Sequence, residues 1–127
     1  MEQFYTLTGR TATFDGDAVR LFACGGVKAV LDVTVVPGVD TVQLVIEENI
    51  GPDILKGRQP EATPIWRRLA EATASAAAAR QVLTVHPAVT PVANVAISDC
   101  PMDQLRVRVI HSGVGAFNYT VKFESLC

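Results

Sequence analysis

The side chains able to do chemistry are few in this chain, and none stands at a spacing that chemistry requires. His86 and His111 are the two histidines. Each closes an apolar run, His86 before Pro87 and His111 after Ile110, with no second histidine or carboxylate at metal-ligand spacing, so both read as strand-end residues. Cys24, Cys100 and Cys127 make an odd total with no C-x-x-C pair, which fits neither a zinc site nor a small disulfide scaffold. A catalytic thiol needs a base beside it, and nothing local ties either histidine to a cysteine. Crosslinking between copies is the use left open, with Cys24, Cys100 and Cys127 as candidate intersubunit disulfide residues and Cys127 foremost; inert thiols are the plainer alternative. Asp15 and Asp17 flank Gly16, and Glu47 and Glu48 are adjacent. A calcium loop needs several convergent oxygens, and strand alternation sends Glu47 and Glu48 to opposite faces, so these carboxylates read as a turn and a solvated strand. Gly25-Gly26 lacks the frame of a phosphate-binding loop. Ser98-Asp99 and Ser112-Gly113 lack that of a nucleophile elbow. The expectation is a protein with no enzymatic activity, no cofactor and no metal.

A second kind of site is a surface. Arg67 and Arg68 adjoin Trp66, and Arg106 and Arg108 share one face of an alternating run. Arginine and tryptophan anchor protein interfaces, which makes Trp66, Arg67, Arg68, Arg106 and Arg108 the candidate interface residues. An ordinary core role for Trp66 is the alternative. The chain carries 11 basic and 13 acidic residues for a net charge of -2, so neither nucleic acid nor an anionic membrane is expected as a partner. Eight of the basic residues are Arg and three are Lys. That bias suits an interface and equally suits drift in a GC-rich genome.

The elements that must hold these residues are strands. With 127 residues, 49% hydrophobic and only 19% charged, the chain can bury a core as one domain. Its apolar excess suggests that further surface is covered by other subunits. No apolar run reaches the ~18 residues of a membrane span. Met1-Glu2-Gln3-Phe4-Tyr5 lacks the basic and apolar regions of a secretory signal, so synthesis in a cytoplasm is expected. Val27, Ala29, Leu31, Val33 and Val35 alternate with Lys28, Val30, Asp32 and Thr34. Pro37-Gly38 then turns into Thr41–Glu47, and the pair reads as a hairpin. Leu105–Ile110 and Phe117–Glu124 alternate as clearly around Gly113–Gly115 and read as a second hairpin. Weaker strands are expected at Phe4–Thr8, Thr11–Phe14, Ala18–Ala23, Val82–Val85 and Val92–Ile97, with a turn at Asp15–Asp17 and a loop over 51–60. The segment 64–79 is ambiguous. Thr63-Pro64 resembles a helix start and Ile65–Arg80 is rich in helix formers, yet Trp66, Arg68, Ala70 and Ala72 would also share one strand face. A strand from Trp66 to Thr73 with an Ala-rich connection is preferred over a short helix. The expected fold is an all-β, antiparallel, jelly-roll-like sandwich of eight or nine strands, with residues 1–10 as a candidate N-terminal arm.

The order of these features resembles small all-β virion proteins of tailed bacteriophages. It runs from the strand with Leu31-Asp32-Val33-Thr34 and the Pro-Gly turn, through Trp66 and Val82-Leu83-Thr84-Val85-His86-Pro87, to Pro101, Leu105-Arg106-Val107-Arg108-Val109 and an aromatic closing strand. The likeness spans about residues 25 to 125; that family has Gly where Ala76–Ala79 stands. It implies a head-decoration or cement protein in the virion, with the major capsid protein and copies of itself as partners, and a trimer if it occupies shell three-folds. A tail, neck or baseplate component on the same sandwich is the first alternative. A carbohydrate-binding jelly-roll module is the second.

Overall fold

The structure, a computed structural model, describes residues 2–20, 25–51, 64–99, 101 and 104–126. All three cysteines, Thr63 and most of the expected 51–60 loop lie outside the described residues. Ten strands follow in chain order: β1 (Glu2–Arg10), β2 (Phe14–Asp15), β3 (Val19–Arg20), β4 (Gly26–Val35), β5 (Val42–Asn49), β6 (Trp66–Glu71), β7 (Arg80–Val85), β8 (Ala96–Ile97), β9 (Gln104–His111) and β10 (Phe117–Leu126). They form two sheets, one of order β1-β10-β4-β7-β8 and one of order β2-β9-β5-β6 with β3 also on β9. All ladders are antiparallel except β7 with β8.

The pairing has a simple logic. The first long strand pairs with the last (β1 with β10), the second with the second-last (β2 with β9), then β4 with β7 and β5 with β6. Successive pairs alternate between the two sheets. A chain doubled on itself and rolled in this way is a jelly roll.

Both expected hairpins are corrected by this topology. β4 lies in the β10 sheet and β5 in the other, and β9 and β10 are divided in the same way. Alternation tells which side of a strand is buried, but not whether the next strand lies beside it or across the core. Connection length is the physical clue: 36–41 and 112–116 exceed the two-residue loops of the tightest hairpins, and they cross between layers roughly 10 Å apart. The two crossings brace each other. Ser112 Oγ accepts from Thr41 N at 2.8 Å, Ser112 N donates to Thr41 O at 3.0 Å, and Gly115 N donates to Asp40 Oδ2 at 2.9 Å. A Cβ on Gly115 would sit 2.6 Å from Pro37 Cβ and 2.7 Å from Asp40 Oδ2, so a larger residue there forces the crossing to shift.

Segment 64–79 holds no helix, only β6 and an irregular connection. Ala70 and Ala72 are buried, Ala72 N donates to Leu44 O at 2.9 Å, and Ser75 bridges Val42. Tertiary pairing overrides helix propensity here. Asp15-Gly16-Asp17 is likewise not a reversal. Segments 14–15 and 19–20 both run antiparallel to β9, with three residues set against two between them, which is a bulge. Gly16 N donates to Val107 O at 2.9 Å, and a Cβ there would approach Val107 Cγ1 to 2.8 Å. Val92–Ile97 is mostly a tight turn, with Asn94 at φ 61° and strand only at Ala96–Ile97. Residues 2–10 lie on β10 of the same chain.

The core joins Val27, Ala29, Leu31 and Val33 of β4 and Phe117, Tyr119, Val121 and Phe123 of β10 to Leu44 and Ile46 of β5 and Leu105, Val107 and Val109 of β9. Gln81 is among the polar side chains that cross between the layers. From β7, Gln81 accepts from Leu44 N at 2.9 Å and donates to Val42 O at 3.1 Å. It supplies Leu44 N with the partner that β6, ending at Glu71, does not, and on Val42 O it joins Ser75 N.

Candidate functional site

Apolar side chains pack the core between the sheets, and the two outer sheet faces are the broad surfaces that remain. On the β5 sheet the outward residues are Val45 and Glu47 of β5, Arg106 and Arg108 of β9, Asp15 of β2, and Trp66, Arg68 and Glu71 of β6. Alternation alone would separate Arg68 from Glu71. The register slips by one between Ile46 and Glu47, leaving Leu69 as the extra residue of a bulge, and Arg68 then meets Glu71 at 2.6 Å. The expected common face of Trp66, Arg68, Ala70 and Ala72 is thereby corrected: Trp66 and Arg68 face outward, whereas Ala70 and Ala72 join the core.

A continuous polar ladder crosses four strands of this face. Arg106 places Nε and Nη2 on Glu47 Oε1 at 2.8 and 2.7 Å. Its guanidinium carbon lies 4.5 Å from the centroid of the Trp66 ring, a cation-π contact. Arg108 joins Asp15 Oδ1 at 2.6 Å and reaches Glu47 Oε2 at 3.8 Å. Glu47 is only 6% exposed, and Val45 on the same outward side is fully covered. Glu48 turns to the other side as alternation requires, yet it too is buried and meets Arg67 at 2.6 Å. The expectation of solvated carboxylates is therefore corrected. The arginines of β9 and β6 lie over this strand and take its charges out of water. Of the five candidate interface residues, the structure gathers Trp66, Arg68, Arg106 and Arg108 on one face and sets Arg67 on the opposite side. Each of the four arginines meets a carboxylate of its own chain.

Asn49 escaped the sequence reading. It is buried, its Oδ1 accepts from Gly51 N at 2.8 Å and Ile65 N at 3.1 Å, and its Nδ2 donates to Gln104 Oε1 at 2.7 Å. It thereby ties the end of β5 to the start of β6 and to β9. His86 follows the end of β7 and His111 ends β9. His86 Nδ1 accepts from Ala88 N at 3.0 Å. His111 Nε2 lies 2.8 Å from Tyr119 Oη, its ring meets Phe117 edge-on, and its buried Nδ1 finds no hydrogen-bond partner among the described residues. Burial, with Arg10 adding to it, holds His111 below its ordinary 6.5; burial pushes the Tyr119 hydroxyl above its ordinary 10.0. Among the described residues no group of three His, Cys, Asp or Glu side chains is placed to hold a metal.

The outer face of the β10 sheet is built differently. Its register lays rungs across β1, β10, β4 and β7. One rung is Glu2, Glu124, Lys28 and Thr84, and the next is Phe4, Lys122, Val30 and Val82. A third is Thr6, Thr120, Asp32 and Arg80. Phe4 is 63% exposed in the middle of a strand, beside a groove of about 260 Å³ whose floor includes Val30 and Thr120. Lys122 reaches Glu124 at 3.5 Å and Glu2 at 3.9 Å, and Arg80 forks onto Asp32 at 2.7 and 3.2 Å. This face holds an exposed apolar centre between charges of both signs. The sequence hid it because Phe4 alternates like any strand aromatic, and only the sheet order reveals which side is covered.

No protein-family model and no curated protein matches the chain. Solved structures similar to it include that of infectious bursal disease virus Gx strain, with TM-score 0.34 and 16% identity over 99% of this chain, and that of the Gt strain, with TM-score 0.33 and 16% identity over 98%. The chain spans 33% of the length of each of those chains. The jelly-roll assignment rests on the strand order of the chain itself.

Proposed function

We propose that this chain is a structural protein of a virion, a head-decoration or cement protein of the tailed-phage kind that lies on the outside of the shell and ties neighbouring major-capsid subunits together. The observation that carries the reading is the jelly roll with a packed interior and two broad outer faces, an architecture used by viral capsid domains. Its work is done by surface rather than by turnover. The β5-sheet ladder makes one face rigid, and the Phe4 face offers apolar area to a neighbour.

Lectins share the architecture and are the competing class. A sugar platform needs a row of exposed aromatic rings. Here Phe117, Tyr119 and Phe123 lie in the core, Trp66 lies against Arg106, and among the described residues Phe4 is the one aromatic more than half exposed. Binding of the purified chain to phage shells before and after expansion tests the proposal. Tight binding to expanded shells with weak binding to unexpanded ones is expected. Equal affinity for both, or binding to neither, overturns the cement role.

A further inference from the structure

We propose that the outer face of the β10 sheet is where two copies of this chain meet, packed face to face about a two-fold axis running along the strands between β10 and β4. The inference stands on the surface itself and does not require the virion reading. A lone exposed apolar side chain needs no explanation. Phe4, however, shares a rung with Val30 and Val82 and borders a groove, and charges of both signs frame that rung.

Charge placement selects the occupant. The axis exchanges β10 with β4 and β1 with β7. Phe4 of each copy then lies against Val82 of the other, and Glu124 against the other's Lys28. The aliphatic stem of Lys122 covers the other's Val30, and no like charges are opposed. The perpendicular choice, an axis along the middle rung, would set Lys122 against Lys122. A face that complements itself in this way is what an isologous pair requires.

Four strands at ~4.8 Å spacing and about eight residues at ~3.3 Å rise give roughly 500 Å² per copy. The total of roughly 1,000 Å² is at the lower limit for a specific interface. The pair is therefore reversible, and it is a two-fold dimer rather than the trimer that a shell three-fold would seat.

Sedimentation equilibrium from micromolar to near-millimolar concentration tests this, with circular dichroism confirming that each variant is folded. The wild-type chain should show a reversible monomer–dimer equilibrium, and Phe4→Asp should weaken it by roughly tenfold or more. Glu124 and Lys28 are also neighbours within one chain, so the decisive experiment mixes two single variants. Glu124→Lys alone and Lys28→Glu alone should each associate poorly, whereas the equimolar mixture should restore association, because only the mixed pair matches both contacts. This arm remains decisive if Phe4→Asp fails to fold. A wild-type chain that stays monomeric throughout, a dimer indifferent to Phe4→Asp, or a mixture no better than its components overturns the proposal.

Discussion

Replacing Arg106 by Met isolates the contribution of the ladder on the β5 sheet. Methionine keeps an aliphatic stem beside Trp66 and removes the charge that Glu47 Oε1 meets at 2.7 and 2.8 Å. What remains near that carboxylate is Arg108 at 3.8 Å, itself held by Asp15. The side chains of Arg106 and Glu47 are 19% and 8% exposed, so water reaches them little. Removing one member of a buried pair costs about 3–5 kcal/mol, and the residual access of Arg106 to water argues for the lower end, about 3 kcal/mol. At ~2.1 cal/mol/K of unfolding entropy per residue, that lowers the Tm of a chain this long by roughly 11 °C. Urea unfolding followed by fluorescence reads the site directly, because Trp66 is the single tryptophan. The cost should persist in high salt, since screening acts weakly on buried pairs. The double variant Glu47→Leu with Arg106→Met should return to within about 1 kcal/mol of wild type, because no charge is then left unpaired. A loss below about 1 kcal/mol for Arg106→Met, or a double variant worse than the single, would refute the claim that this pair is buried and mutually dependent.

Three further outcomes follow from the packing. Gln81→Leu strips Leu44 N of its partner, while Val42 O keeps Ser75 N at 3.0 Å, and should cost about 1–2 kcal/mol in urea unfolding; a loss under about 0.5 kcal/mol would mean that Leu44 N is satisfied otherwise. Phe123→Ala opens the core beneath β10 and should cost about 3–5 kcal/mol, and a neutral result would contradict its complete burial. His111 is held below 6.5 in the folded chain, so the unfolded chain binds the proton first as pH falls. Its contribution to stability is complete above pH 6.5 and is lost as pH drops from there through the folded value. His111→Gln should flatten the stability curve in that window, and identical slopes for both proteins would remove His111 as the cause.

Which strands exist was legible from particular residues. The alternations of Val27–Val33, Leu105–Ile110 and Phe117–Glu124 bury one face of β4, β9 and β10 as expected, whereas Val35, beside a register shift at the end of β4, is half exposed. The preference for strand over helix at Trp66 also holds. Which strands pair was not legible, because β4 and β5 each bury an apolar face and would do so as hairpin partners or as opposite layers. The jelly-roll order depends on contacts far apart in sequence, such as Val33 with Tyr119 and Ile46 with Ala70. Bulges were equally hidden. One extra residue at Leu69 decides that Arg68 meets Glu71, and no composition signal marks it. The buried state of Glu47 and Asn49 could not be read from their types, which normally favour water; cross-strand neighbours on β9 and β6 determine it. Pro37-Gly38 and Gly113–Gly115 are legible as places where strands end and the chain turns, but the hairpins read from them are crossings between layers, which only the strand order reveals.

The central claim is that the chain acts as an outer structural part of a virion. The most direct measurement images purified filled particles by electron cryomicroscopy and counts the polypeptide by quantitative mass spectrometry. The account predicts hundreds of copies on the outside of the head, each resting through a sheet face on major-capsid subunits or on its own kind. Absence from particles, or a dozen copies or fewer confined to neck or tail, would contradict it.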